Sequence, residues 1–319
     1  MGVTKKLIIV RNLKQGGVKT ILDDIILKYP EITILSYDSN KLIFLLRLLP
    51  VIFFKNNTIN IHGWIGLSFF TFLKKINLLN CNIIYSLHSD PYKELTNSNI
   101  FNIMLNIADK ISFVSEYHLK SAIDKMVLSP KELIKLKKIS IIIYYKLETN
   151  KISKFQPYNF KTKGKRVGLI TRLSKEKGID EICNALQNKY DVYIWGDGPM
   201  KNELLKKYPN INFMGLSSNF KRDLNDIDVF VFSSKWGVWG ISLLEAISIG
   251  KRFVFPRNEN WIDLFPLESH PFSFDMNNLK SLEVSIDNSL KSSPELYAHV
   301  SNIILSHPKY NHIDMYAEL

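Results

Sequence analysis

The 319-residue sequence predicts an α/β protein with two Rossmann-like, doubly wound domains. The chain is longer than one domain usually is, so two domains are expected. Short apolar runs alternate with helical segments, which is typical of mainly parallel sheets. A polar stretch at 145–164, with Pro157 and several lysines, divides the two series and is the predicted linker. We therefore assign residues 1–150 to a first domain and 151–319 to a second.

The first half contains six apolar runs that predict strands, separated by segments that predict helices. Because strands and helices alternate, the strands should form a mainly parallel sheet with helices on both faces. Strands are predicted at 7–10, 32–35, 58–62, 82–87, 110–114 and 140–143, and helices at 18–28, 40–50, 66–76, 98–107 and from Glu116.

The second half begins a new β-α series at Arg166 that runs to about Phe255. Further strands are predicted at 192–195, 211–215 and 229–232. The tail is predicted to be largely helical over 276–305, and a short helix over 313–319 should follow the interruption at Pro308.

The segment 233–246 (SSKWGVWGISLLEA) follows a strand and is predicted to form a glycine-bearing loop and then a helix. Gly237 and Gly240 allow the backbone to approach a ligand closely, and the helix N-terminus favours phosphate. Glu245, just over one turn into that helix, could accept hydrogen bonds from a sugar diol. This pattern predicts a nucleotide diphosphate site. The alternative is an ordinary βα turn with a surface glutamate.

Three segments upstream favour the ligand site. Arg172 and Lys177 follow the strand that begins at Arg166, and open α/β sheets bind ligands at such carboxyl ends. Two cations there suit a pyrophosphate, although each could also be a solvated loop charge. The sequence Gly196-Asp197-Gly198-Pro199 is a glycine-rich turn before a helix, and the strand at 211–215 ends in glycine. We expect Asp197 to shape its loop.

Taken in order, these four segments resemble the nucleotide-binding domain of the retaining glycosyltransferases of family 4, which have the GT-B fold. The resemblance covers about 80 residues and depends on the order of the motifs. Arg172…Lys177-Gly178 matches the family motif Arg-x4-Lys-Gly, and residues 196–199 match Gly-(Asp/Glu)-Gly-Pro. Phe213-x-Gly215 matches the loop that the family uses at the nucleobase, and the segment ending in Glu245 matches the Glu-x7-Glu block.

The resemblance implies two domains facing across a cleft, and sugar transfer from a nucleotide diphosphate sugar to a hydroxyl acceptor with retention of configuration. A UDP-sugar is favoured over a GDP-sugar as donor, with no cofactor and no metal. Arg172, Lys177 and the helix N-terminus near Gly240 would stabilise the leaving diphosphate, and Glu245 would contact the ribose. The donor-binding residues would be Gly16, Gly17, Gly196, Phe213, Gly215, Gly237, Trp239, Gly240, Ile241 and Glu245.

The chain departs from the family pattern at one functional position. Where the family has its first glutamate, which contacts the donor sugar, this chain has Gly237. Val238 replaces the family's next glycine, and Trp239 replaces a usual phenylalanine. The alternative function is therefore a catalytically weak, nucleotide-sugar-binding partner subunit. An epimerase or phosphorylase on the same fold is a third class, but a phosphorylase needs a longer chain and a pyridoxal lysine site.

The first half resembles the family more loosely. His88 follows the strand at 82–87, where the family has a histidine, and would hold the donor sugar or its β-phosphate. The alternative is a hydrogen-bonded structural histidine. His62 also ends a strand but matches less well. Gly16 and Gly17 match a glycine-rich loop that could cradle an anion, and the alternative for them is a tight turn.

The net charge of +12 favours an anionic partner. No nucleic-acid motif is present, so we expect an anionic membrane surface and a lipid-linked or oligosaccharide acceptor in surface polysaccharide assembly. The run 42–54 is too short and interrupted to span a bilayer, which predicts a cytoplasmic protein peripheral to the inner face. This run and the helix at 69–75 could dock to the membrane or pack in the core. Cys81 and Cys183 are predicted to be reduced core thiols without metal-binding spacing.

Overall fold

Two compact units make up the protein in a computed structural model, one within 5–145 and the other within 164–307. Each unit is built around a parallel sheet that has six strands among the described residues. The predicted boundary at 150 and 151 falls in 146–163, outside those residues. The structure describes residues 5–11, 17–38, 41–54, 57–63, 65–88, 98–145, 164–235, 240–257 and 265–307.

The first sheet has the order β2-β1-β3-β4-β5-β6, and all of its neighbouring strands pair in parallel. The order reverses between β1 and β3, so the two strands flank a topological switch point. The strands are β1 (Lys6–Val10), β2 (Thr33–Ser36), β3 (Thr58–His62), β4 (Asn82–Leu87), β5 (Lys110–Phe113) and β6 (Ser140–Ile142).

The helices of the first unit lie where the sequence predicts them, with one addition. The prediction missed α6. Ser129 is the N-cap of this helix and forms a capping box with Glu132, and Pro130 occupies the first helical position. Both signals are readable in the sequence. The helices are α1 (Gly17–Lys28), α2 (Lys41–Ile52), α3 (Leu67–Lys75), α4 (Ser98–Ile107), α5 (Glu116–Lys125) and α6 (Pro130–Ile139).

The helix α2 packs one side into the core and exposes the other. Phe44, Leu48, Val51 and Ile52 are buried, which confirms the core-packing interpretation for that side. Four further apolar residues repeat at helical spacing and are between 40 and 66% exposed. We call this stripe the outer face of α2, and its members are Leu42, Leu46, Leu49 and, one residue past the end of the helix, Phe53.

The predicted helix at 69–75 also lies mainly against the core. Phe70 and Leu73 of α3 are buried, whereas Phe72 is 59% exposed. Lys74 donates hydrogen bonds from Nζ to the carbonyl oxygens of Asn106 and Ile107 at 3.1 and 3.0 Å. Its charge is therefore used within the unit. In the part of the chain that the structure describes, no helix has the length and hydrophobicity needed to cross a bilayer.

The second sheet has the order β12-β11-β10-β7-β8-β9 and is also parallel. Counted from its own first strand this is the order 3-2-1-4-5-6, and its switch point lies between β7 and β10. The strands are β7 (Arg166–Ile170), β8 (Asp191–Trp195), β9 (Asn212–Gly215), β10 (Val229–Val231), β11 (Arg252–Pro256) and β12 (Ser273–Phe274).

The C-terminal tail differs from its prediction, because the expected single helix is two helices. Ser293 caps the second of them by accepting from the N–H of Leu296, and Pro294 stands at its first position. The predicted helix at 313–319 lies outside the described residues. The helices of this unit are α7 (Ile179–Leu186), α8 (Lys201–Lys207), α9 (Phe220–Asp223), α10 (Ile241–Ser248), α11 (Lys280–Lys291) and α12 (Pro294–Ser306).

The two cysteines are buried and unpaired, one in each unit. Burial raises the pKa of both thiols to about 12, so they stay protonated at neutral pH. Cys81 and Cys183 are therefore inert core residues, as the sequence predicts.

Candidate functional site

The second sheet brings the predicted diphosphate motifs to one edge. Its strands run parallel, so the loops after β7, β8, β9 and β10 leave the sheet at the same side. The loops after β7 and β10 flank the switch point, where ligands bind in open α/β sheets. Arg172 and Lys177 lie in the first of these loops, and the helix that carries Glu245 follows the second.

The loop after β7 presents its two cations differently. Arg172 is exposed and has no ion-pair partner among the described residues. Lys177 is half-buried and ends a single 3₁₀ turn, Lys175–Lys177. Gly178 closes that turn with φ at 63°, a left-handed conformation that glycine adopts readily. A Cβ atom at Gly178 would also meet the flexible end of the Met276 side chain, so the backbone conformation is what favours glycine here.

The glycines of the 196–199 turn pack on the loop that carries Arg172. A Cβ atom on Gly196 would lie 1.8 Å from the carbonyl oxygen of Thr171, and one on Gly198 would lie 2.3 Å from that of Leu173. The N–H of Leu173 donates to the carbonyl of Asp197 at 3.0 Å. These contacts give Gly196 a packing role. Its predicted place in the donor site stays a prediction.

Asp197 shapes this loop, as expected. Its carboxylate accepts a hydrogen bond from the N–H of Gly198 at 2.9 Å. Its Oδ1 also lies 3.6 Å from Nζ of Lys201, one helical turn further along. The acidic residue of the motif is therefore engaged within its own turn.

The loop after β10 is attached by two contacts to the Lys177 turn and by one to the helix α7 that follows it. The Ser233 hydroxyl donates to the carbonyl oxygen of Lys177, and the N–H of Lys235 donates to that of Glu176 at 3.0 Å. The Lys235 ammonium also pairs with Glu181. The sequence interpretation assigned no role to Ser233 or Lys235. A serine directly after a buried strand, in a segment already suspected of binding a ligand, was the available signal.

The end of β9 lies beside the turn after β8. The N–H of Gly196 donates to the carbonyl of Gly215 at 2.6 Å, and Phe213 is half-buried two residues earlier. Gly215 has φ at 77°, and a Cβ atom there would meet no atom within 4 Å. The backbone conformation therefore requires glycine at a place that leaves open space. This geometry is compatible with the predicted nucleobase contact.

The helix α10 begins without a side-chain cap. Gly240 is its N-cap residue and has no side chain that could accept a hydrogen bond from the N–H groups of the first turn. Uncapped N–H groups at a helix start favour an anion. Ile241 is buried, and Glu245 is half-buried at the fifth position of the helix. The remaining predicted donor residues Gly16, Gly237 and Trp239 lie outside the described residues, and Gly17 is the first residue of α1.

His88 belongs to the first unit, directly after β4. Its ring lies 4.6 Å from the ring of His62 at the end of β3, centroid to centroid. Burial lowers the pKa of His88 to about 4. Burial, and next the neighbouring His88, lower the pKa of His62 well below its ordinary value. The sequence leaves open whether the His88 imidazole is neutral or charged. Its lowered pKa favours the neutral form at neutral pH.

A chain of polar side chains crosses three strands of the first sheet beneath these histidines. The Ser112 hydroxyl donates to Oγ of Ser86, which donates to Oδ1 of Asn60, both at 2.7 Å. All three residues are buried. The sequence interpretation missed this chain because each residue alone reads as an ordinary polar interruption of a strand. Within the described residues, Nε2 of His88 is buried without a hydrogen-bond partner.

No group of three histidine, cysteine or acidic residues that could hold a metal ion occurs in the part of the chain that the structure describes.

Comparison with known families identifies the second unit. Residues 150–303 match the family model described as glycosyl transferases group 1. A curated relative, the O-antigen biosynthesis glycosyltransferase WclY of Escherichia coli, is 24% identical over 144 residues. That match spans 43% of this chain and 40% of the length of WclY. The second unit is therefore similar to glycosyl transferases group 1.

Solved structures resemble the whole chain. HepE from Anabaena, in complex with UDP-glucose, has a TM-score of 0.73 at 16% identity and covers 99% of this chain and 98% of its own. The lipopolysaccharide outer core galactosyltransferase WaaB, in its apo form, has a TM-score of 0.66 at 13% identity, covering 99% of this chain and 100% of its own. At these identities the likeness shows the fold. The predicted GT-B fold with two Rossmann-like domains is confirmed.

Proposed function

We propose that this protein transfers a hexosyl group from a nucleotide diphosphate sugar to a hydroxyl of a glycan acceptor. The observation that carries the proposal is the edge of the second sheet at which the loop of Arg172 and Lys177 is bonded to the loop that leads into uncapped α10. This edge lies within the segment that matches glycosyl transferases group 1. Such an edge can supply positive charge where a diphosphate leaves.

The reaction requires stabilisation of the departing diphosphate. Arg172 has an exposed guanidinium, which can bind two phosphate oxygens at once. Lys177 supplies a point charge from a turn whose backbone Ser233 holds in place. The N–H groups of α10 complete a positive field at the β-phosphate. We propose front-face attack with retention of configuration, because the sequence motifs contain no carboxylate that can be assigned as a nucleophile.

UDP is the proposed nucleotide of the donor. The complex of HepE with UDP-glucose supports this choice by fold likeness. Glu245 would bind the ribose hydroxyls from the second turn of α10, and Phe213 with Gly215 would border the base. At the position of Gly237, the family's glutamate that contacts the donor sugar is absent. The membership in family 4 that the motifs suggest belongs to the same proposal.

The acceptor is proposed to be a lipid-linked glycan intermediate of surface polysaccharide assembly. The names of WclY and WaaB, which concern O-antigen and lipopolysaccharide outer core, support this class. The outer face of α2 offers apolar contact, and the net charge of +12 offers electrostatic attraction to anionic lipid. We propose peripheral attachment at the inner face of the membrane.

Turnover of nucleotide sugars tests the proposal directly. Purified protein should release UDP from one UDP-hexose in a panel when a lipid-linked or oligosaccharide acceptor is present. The Arg172→Ala variant is the control, because it removes the proposed guanidinium from an exposed position without disturbing the fold. Failure of every nucleotide sugar, GDP-sugars included, to bind or react would contradict the proposal.

A second candidate is the nucleotide-sugar-binding partner subunit of a glycosyltransferase complex. Gly237, in place of a carboxylate that contacts the donor sugar, favours it. The same panel separates the two candidates, because this one predicts saturable binding of a UDP-sugar with no release of UDP under any acceptor condition.

A further inference from the structure

The first unit contains an apolar cavity of about 190 Å³. Its wall is formed by β1, the segment after β2, α2, and the segment from β3 into α3. Apolar side chains supply almost all of that wall. The wall residues used below are Ile9, Tyr37, Phe44, Leu45, Ile65 and Gly66.

The cavity lies where a sheet of this order binds ligands. Ile9 is in the carboxyl half of β1, and Ile65 and Gly66 follow β3. These strands flank the switch point of the first sheet. Ligands of open α/β sheets occupy the space outside the strand ends at such a point. The position therefore marks the cavity as a binding site more strongly than its size does.

Its chemistry selects an apolar ligand. An engineered cavity of about 150 Å³ lined by leucine, isoleucine and phenylalanine stays dry and binds benzene. The cavity in this protein is of similar volume and lining, so water has few partners there. Tyr37 and Phe44 meet edge to face with their ring centroids 5.7 Å apart, which gives one wall a fixed shape.

The mouth of the cavity continues onto apolar surface. Leu45 lines the cavity and is 41% exposed. Leu42 and Leu49 stand three residues before and four residues after it, on the same side of α2, and are 66 and 40% exposed. A ligand longer than the cavity would therefore remain on leucine side chains. This arrangement favours a chain over a compact ring.

We propose that this cavity binds one end of a single hydrocarbon chain, with Leu45 at its mouth. An acyl chain and an isoprenoid chain share this chemistry. The proposal goes beyond the sugar transfer proposed above and stands on the first unit alone, so a failure of the donor site leaves it intact.

Calorimetric titration with farnesol and with decanol, at concentrations where each is monomeric, tests the site in the full chain. Wild-type protein should bind at least one of them with a stoichiometry of one and a negative heat-capacity change, the signature of apolar burial. Preference for farnesol would identify an isoprenoid source, and preference for decanol an acyl source. No saturable binding of either probe overturns the proposal.

Two exposed leucines of the first unit give a matched pair of variants. Leu45→Glu should weaken binding by tenfold or more, because a carboxylate would stand at an apolar mouth. Leu27→Glu places the same charge on α1, at a residue that is 69% exposed and is not part of the wall, and should stay within twofold of wild type. Equal weakening by both would show nonspecific adsorption on the first unit and overturn the site.

Leu45→Trp provides a second reading that keeps the position apolar. The larger ring should fill the mouth and reduce chain binding by a similar factor, with a melting temperature close to that of wild type. Unchanged binding in both Leu45 variants would overturn the proposal.

Discussion

The Ser233 hydroxyl donates a hydrogen bond to the main-chain carbonyl of Lys177. It thereby joins the loop after β10 to the turn after β7 across the switch point of the second sheet. Lys235 adds a backbone bond to Glu176 of the same turn at 3.0 Å. The two motifs that the sequence separates by more than 50 residues therefore form one structural unit, and its properties can be tested one residue at a time.

Removing the Ser233 hydroxyl should loosen Lys177. Ser233→Ala leaves a carbonyl without its partner, which costs about 1 kcal/mol, and we expect UDP affinity to fall several-fold. Titration calorimetry measures the change. Ser306→Ala deletes the same kind of bond on an exposed part of α12 and should leave UDP affinity unchanged. Equal UDP affinity of Ser233→Ala and wild type would remove Ser233 from the positioning role.

Removing a proposed phosphate contact should weaken UDP binding more than removing the Ser233 hydroxyl does. Arg172→Ala and Lys177→Ala should each weaken UDP binding by roughly 1.5–3 kcal/mol, the range for hydrogen bonds to charged groups. Both variants should remain folded, because neither loop charge is buried in the core and loop charges at the surface contribute little to stability. Lys175→Ala, an exposed lysine of the same turn, is the control and should bind UDP normally. Unchanged affinity in both test variants would place the diphosphate elsewhere.

Glu245 should distinguish the nucleoside from the phosphates. Glu245→Ala should weaken UDP binding by about 1–3 kcal/mol and pyrophosphate binding much less, since its proposed partner is ribose. Competition of the two ligands against a fluorescent nucleotide gives both affinities. Equal losses for UDP and pyrophosphate would contradict a ribose contact.

The buried histidines predict a stability that depends on pH. Burial lowers the pKa of His88 to about 4, below the value of about 6.5 in the unfolded chain. As pH falls below about 6.5, the unfolded state binds protons that the folded state excludes, so the stability of the first unit decreases. By about pH 5 the decrease from His88 alone should be about 2 kcal/mol.

Urea unfolding at several pH values, monitored by a probe in the first unit, measures this decrease. His88→Gln should flatten the pH dependence, whereas His299→Gln, at an exposed position of α12, should not. A slope that is unaffected by His88→Gln would show that the pKa of His88 does not differ between the folded and unfolded protein.

Membrane attachment should combine charge and the outer face of α2. Co-sedimentation should be clear with anionic vesicles at low salt, poor with neutral vesicles, and weaker as salt shortens the Debye length to about 8 Å. The double variant Leu42→Glu and Leu46→Glu should bind less. Leu27→Glu, at a 69% exposed leucine of α1, is the control. Protein that stays in the supernatant with anionic vesicles at low salt would make a soluble acceptor the better hypothesis.

The sequence predicts most of this fold because its strands are short apolar runs separated by clear helical segments. It predicts which strands carry Arg172, Gly196 and Phe213, and parallel pairing then sets their loops at one edge. It could not predict that Gly196 packs against Thr171, because that contact depends on the register of two strands.

Two other features could not be predicted from the sequence, each for a different physical reason. The apolar run at 42–54 gives no sign of which residues face outward, since both sides of α2 are hydrophobic. The pairing of His62 with His88 joins residues from different strands, and only the order β3-β4 brings them together.

The close packing of Gly196 and Gly198 against 171–173 has an evolutionary consequence. A descendant that no longer transferred sugars would still be selected to keep both glycines, since any side chain there would push the neighbouring loop out of place. The side chain of Arg172 is exposed, so folding would not prevent its substitution in such a descendant. Retention of Arg172 across descendants of this chain would therefore report on the proposed diphosphate contact, whereas retention of the glycines would report only on folding.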